Sequence, residues 1–70
     1  MSGEAAMLRG KVKWYDKKKG HGLILLNGKG EVFMHQFAIK GELPKQGDQV
    51  KFEIFQGRKG PEALDVRVVS

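Results

Sequence analysis

Residues 17–26 read KKKGHGLILL, followed by NGKG at 27–30 and EVFMHQF at 31–37. Two blocks rich in apolar residues thus flank an Asn27-Gly28 pair. Asparagine and glycine accept the positive φ angles of a tight reversal, so the pair predicts a hairpin joining strands His21–Leu26 and Glu31–Phe37. Side chains alternate along a strand, which puts His21 and Leu23 on one face, and Phe33, His35 and Phe37 on one face of the partner. Pairing across the reversal predicts these five side chains on a single surface. Gly20 and Gly22 add no bulk between them.

The same period-2 pattern recurs on both sides. Leu8–Tyr15 alternates, with Lys11 and Lys13 on one side and Val12 and Trp14 on the other. Ala38–Asp48, with Lys40-Gly41 and Leu43-Pro44, reads as a connecting loop with one helical turn at its start. Gln49–Gln56 alternates again: Val50, Phe52 and Ile54 face one way, Lys51, Glu53 and Phe55 the other. Gly57–Pro61 reads as a loop and Ala63–Val69 as the last strand, with Leu64, Val66 and Val68 in phase. Five short strands and no helical period predict an all-β chain: one small five-stranded antiparallel sheet curled into a barrel. The predicted interior is Val12, Ile24, Val32, Met34, Val50, Phe52, Ile54, Leu64, Val66 and Val68. A 70-residue chain with such a core has little stability to spare and no depth for an enclosed active site.

Composition narrows the function classes. No cysteine is present, which excludes disulfides and cysteine-ligated zinc and fits a reducing compartment such as the cytoplasm. Two histidines at unrelated spacing predict no metal site, and no nucleophile–base pair or phosphate-binding glycine loop points to catalysis or a cofactor. The longest apolar run, Leu23–Leu26, is too short to span a membrane. Met1–Ala6 has no basic region or apolar core and reads as a flexible tail rather than a signal peptide. Net charge is +5, and its distribution is uneven. Residues 9–19 hold six basic side chains against Asp16 alone, while the seven basic and seven acidic groups elsewhere cancel. Excess positive charge confined to one segment is the footprint of a polyanion binder.

Four stretches carry a family resemblance: Gly10-Lys11-Val12-Lys13-Trp14-Tyr15, Lys19-Gly20-His21-Gly22-Leu23-Ile24, Val32-Phe33-Met34-His35-Gln36 and Arg58-Lys59-Gly60-Pro61. In that order and spacing they resemble a cold-shock domain, over residues 7–70, with 1–6 as the tail. The second stretch also overlaps the consensus of RNA-recognition domains, but that fold needs two helices, and nothing here has helical period. The resemblance implies an oligonucleotide-binding (OB-fold) barrel that binds single-stranded RNA and DNA without catalysis and prevents or melts RNA secondary structure; a monomer is expected, with a dimer left open.

It also implies a site. Trp14, His21, Leu23, Phe33, His35 and Gln36 fall on the expected base-stacking surface, which Phe37 joins by strand period, with Lys11, Lys13 and Lys19 beside it as phosphate contacts and Lys59, Gly60 and Pro61 along its border. Simple alternation would bury Trp14 with Val12; the resemblance puts it outside, which requires a twist or bulge near Gly10–Lys13. Tyr15 fits either a stacking ring or a barrel-edge residue.

The sequence departs from the family pattern in several places. His21 and Leu23 stand where phenylalanines are usual; imidazole stacks more weakly, and leucine has no π face. Leu43 or Pro44 falls where an aromatic is expected, in a loop shorter than usual. Asp16 replaces asparagine, whereas Phe37 adds a ring. These changes predict weakened nucleic-acid binding. They also leave an alternative, a protein-interaction module or homodimer using the apolar Leu23, Phe33 and Phe37 face.

Overall fold

Each apolar alternation forms a strand, and the strands close on one another. The computed structural model describes residues 7–28 and 30–69, so the expected tail at 1–6 lies outside the described residues. Strands β1 (Leu8–Asp16), β2 (His21–Leu26), β3 (Gly30–His35), β4 (Gln49–Gly57) and β5 (Gly60–Val68) form a closed barrel in the order β1-β2-β3-β5-β4. The β1–β2, β2–β3, β4–β5 and β1–β4 seams are antiparallel; the β3–β5 seam is parallel, at Phe33↔Glu62. Closure thus mixes strand polarity, where the alternation alone suggested an antiparallel sheet throughout.

The interior is filled by Val12, Ile24, Val32, Met34, Val50, Phe52 and Val66, all fully buried, with Ile54 and Val68 partly buried against them. Leu64 does not join them. It is 41% exposed, and Ala63 takes the inward position at 2%. The cause is an irregularity in the β4–β5 register. Lys51 pairs with Arg67 but Glu53 pairs with Leu64, so β5 carries one extra residue. Asp65 lies in that segment at φ 54°, a conformation asparagine and aspartate tolerate better than bulkier residues. The bulge resets the phase of β5 and turns Leu64 outward.

A second bulge falls in β1. Val12 pairs with Ile24, yet Trp14 pairs with Leu23, leaving Lys13 as the extra residue. The loop before β4 satisfies the backbone here: the Val12 N–H donates to the Asp48 carbonyl at 2.9 Å, and the Gly47 N–H donates to the Val12 carbonyl at 2.8 Å. Beyond the bulge Trp14 faces outward, and Tyr15 turns inward to pack half-buried against the core. Tyr15 is therefore a barrel-edge residue. Gly22 opposite it is required for close approach, since a Cβ there would run into the Trp14 carbonyl oxygen and the Tyr15 ring.

Two boundaries differ from expectation. The strand expected to run to Phe37 stops at His35, and Gln36–Ala38 form a 3-10 turn whose N-cap is His35. The loop expected at Gly57–Pro61 is a tight reversal with Gly57 paired to Gly60, so Gly60 and Pro61 already belong to β5. Gly60 sits at φ 125°, which glycine adopts without cost.

Candidate nucleic-acid interface

The outward faces of β1, β2 and β3 form a grid fixed by register. Lys11, Leu25 and Glu31 make one row; Trp14, Leu23 and Phe33 the next; Asp16, His21 and His35 the third. Their neighbours Val12, Ile24, Val32 and Met34 are buried, so the grid is the outer surface. Trp14, 36% exposed, meets His21 edge-on at a centroid distance of 5.5 Å, and His21 stacks on Phe33 at 5.4 Å and 29°. These three rings form one run across the three strands.

Two further rings extend it. Phe37 leaves the strand with the 3-10 turn, yet its ring stacks on His35 at 5.1 Å and 19°. His35 caps that turn, with Nδ1 accepting from the Phe37 N–H at 3.5 Å. The cap holds Phe37 on the surface, where it is 82% exposed. Strand alternation would have placed it there for a different reason. Gln36 lies over Gly20: its N–H donates to the Gly20 carbonyl at 2.9 Å, and its side-chain amide occupies the space a Cβ at Gly20 would need. Gln36 thus ties the start of β2 to the turn after β3.

The charged groups border the rings. Asp16 organises the lysine turn, its Oδ1 accepting from the Lys18 N–H at 2.9 Å and the Lys19 N–H at 3.1 Å. That leaves the Lys17, Lys18 and Lys19 side chains exposed beyond the His21 end of the grid. Lys13, lifted by the bulge, reaches across β2 to Glu31, with Nζ and Oε2 2.8 Å apart. Both groups are exposed, so the pair adds little stability. It does draw off one of the cations nearest the rings. No sequence signal pointed to this contact, because it spans three strands. Lys11 is exposed at the opposite end from Lys19. The β3–β5 pairing at Phe33↔Glu62 sets Gly60 and Pro61 alongside the Glu31–Val32 segment, with Lys59 and Pro61 exposed. Of the two residues in the aromatic's place, Leu43 is exposed and Pro44 buried.

Among the described residues no three His, Cys, Asp or Glu side chains come close enough to hold a metal ion, and no helix is long and apolar enough to cross a membrane. An open barrel face carrying rings, with ammonium groups around it, suits an unpaired polyanionic strand with flat bases.

Residues 8–69 match the family model described as the 'Cold-shock' DNA-binding domain. The chain belongs to the cold-shock domain family. That family binds nucleic acid, and its span here is the whole barrel. This cold-shock domain is 51% identical over 65 residues to a cold shock-like protein of Thermotoga maritima, covering 89% of this chain and 98% of the relative. It is 49% identical over 63 residues to the cold shock protein CspB of Bacillus caldolyticus, covering 86% and 96%. Cold shock protein CspD of Bacillus subtilis is 44% identical over 63 residues, covering 86% and 96%. Among solved structures, Drosophila Unr CSD456 superposes with a TM-score of 0.76 over 94% of this chain and 28% of that chain. At 13% identity it supports the fold of the cold-shock barrel alone.

Proposed function

We propose that this cold-shock domain binds single-stranded RNA and DNA with weak sequence selectivity, and acts as an RNA chaperone by holding unpaired bases against its outer sheet. The carrying observation is the run Trp14–His21–Phe33, three rings in contact on the open face. Each base laid on such a ring gains about 1–3 kcal/mol regardless of its identity. Bases held there are withdrawn from pairing, so binding alone drives melting, with no nucleotide hydrolysis and no catalytic residue. Lys11, Lys13 and Lys19 supply phosphate contacts, and the Lys59–Pro61 segment borders the strand. The protein works as a cytoplasmic monomer in this reading.

Titrating oligothymidine while following Trp14 fluorescence, at several salt concentrations, tests the proposal. Three phosphate contacts in a single strand give a slope of about 2 in log affinity against log salt. Quenching that weakens with that slope is expected, with a dissociation constant above the nanomolar range because His21 and Leu23 are poor stackers. Affinity that is indifferent to salt would reject it.

The Lys13–Glu31 pair gives a second expectation. Glu31→Gln releases Lys13 and removes a negative charge beside the rings, so binding should tighten about threefold to tenfold at low salt. Thermal stability should change by less than about 1 kcal/mol. Unchanged affinity in the same titration would show that Lys13 makes no phosphate contact.

One observation favours a second reading, docking of a protein partner or a second copy. An apolar groove of about 450 Å³, lined by Phe37, Ala38, Phe55, Ala63 and Leu64, continues from the His35–Phe37 stack. Association through it would persist at high salt, which the same titration separates from strand binding.

A further inference from the structure

The far side of β1 carries a second, unassigned concentration of charge. Arg9 on β1 lies directly opposite Lys51 on β4, and Lys51 lies directly opposite Arg67 on β5. Directly opposed residues share a face, and Val50 and Phe52 beside Lys51 are fully buried, so all three cations point outward. Strands are about 4.8 Å apart, so the row spans roughly 10 Å of backbone. Like charges directly opposite on neighbouring strands destabilise a sheet. Among the described residues no ion pair relieves these three. Glu53, two residues along β4 from Lys51 and on the same face, makes no ion pair with any of them. A small barrel thus holds three mutually repelling cations in line, an arrangement that a polyanion would neutralise.

The row is also continuous with the ring-bearing face. Arg9 and Lys11 share the outer face of β1, and both line an open groove of about 680 Å³ with Leu25, Glu31 and Gln49. Trp14 is five residues along β1 from Arg9, roughly 16 Å at 3.3 Å per residue. A strand leaving Trp14 therefore meets Lys13, then Lys11, then Arg9, and then the row across β4 and β5.

We propose that Arg9, Lys51 and Arg67 form a second phosphate-binding site, which takes the backbone of the same single strand after it leaves the stacking rings and turns round the barrel. The inference rests on the nucleic-acid reading of the ring face. It adds that the occupied length exceeds what the rings alone cover, and that the added contacts are to phosphate and therefore blind to sequence.

The test compares oligothymidines of about six and about fifteen nucleotides, within the range of single barrels of this type. They are titrated against the wild type and Arg9→Gln/Lys51→Gln/Arg67→Gln. Wild type should bind the long strand more tightly than its extra registers explain, with a steeper salt slope. The triple variant should lose roughly tenfold on the long strand at low salt, about 2 units of its salt slope, and less than twofold on the short one. Its thermal midpoint in the absence of strand should rise, because opposed charges have been removed.

Equal losses on both lengths, or no loss on either, would overturn the proposal, as would a fall in the thermal midpoint. Retention of the wild type on phosphatidylserine vesicles without any strand-length dependence would overturn it in favour of a lipid surface. A wild type that binds neither length removes the nucleic-acid reading itself, and this site with it. A wild type that binds both lengths with the same salt slope, the long one tighter only by its extra registers, leaves that reading standing and removes only the second site.

Discussion

The double substitution His21→Phe/Leu23→Phe is expected to tighten oligothymidine binding by roughly ten- to a hundredfold. Leu23 sits at the centre of the grid, between Trp14 and Phe33, and His21 touches both of those rings. A leucine there offers contact area but no flat π surface; an imidazole offers a smaller one than benzene. Each position should gain most of one base stack, about 1 kcal/mol or more. Both side chains point away from the core, so the barrel should tolerate the change. Fluorescence titration of the two proteins side by side decides it. Unchanged or weaker binding would mean that bases do not lie over β2.

The second large effect is a loss. Phe33→Ala should weaken binding by roughly ten- to a hundredfold, because it removes one ring and the platform on which His21 rests. Phe33→Leu separates two causes of that loss. It restores apolar area without restoring a π face, so under base stacking it should recover little. Full recovery by leucine would show that the face works by apolar contact, as the docking reading requires. Thermal unfolding of both variants checks that the barrel persists; Phe33 is only partly buried, unlike its neighbours Val32 and Met34.

The contrast between Phe33 and Leu64 shows what the sequence could reveal. Phe33 lies in an unbroken stretch of β3, so alternation with Val32 and Met34 places it outside with no further information. Leu64 sits in a stretch equally regular to the eye, yet the extra residue at Asp65 inverts its phase. Trp14 shows the same physics in β1: alternation alone buries it, and the bulge at Lys13 turns it out. Here the resemblance supplied what periodicity could not. Bulges depend on how a strand must bend to meet its far neighbours, and such neighbours are set by closure rather than by local sequence. The parallel β3–β5 seam was hidden for that reason, as were the Lys13–Glu31 pair and the Arg9–Lys51–Arg67 row, which appear only once registers across three strands are fixed. Phe37 reached its expected surface by an unexpected route, through a cap on His35 rather than through the strand.

Closure has a consequence for solubility. The run Leu23–Leu26 is the segment of this chain best suited to cross-β self-association, being short, apolar and uncharged. β2 lies between β1 and β3 and has hydrogen-bonded partners on both flanks, so no free backbone is left to template another molecule. That protection lasts while β1 and β3 stay paired to β2. The barrel's most sparsely paired seam is β3–β5, registered at Phe33↔Glu62 and reinforced by the Ile39↔Val66 bridge. Parting this seam would bare only the outer edge of β3, since β2 keeps β1 and β3 on its flanks; the leucines are exposed once β3 also peels from β2. Fibril formation in this protein should therefore track loss of the β2–β3 pairing rather than opening at Glu62 alone.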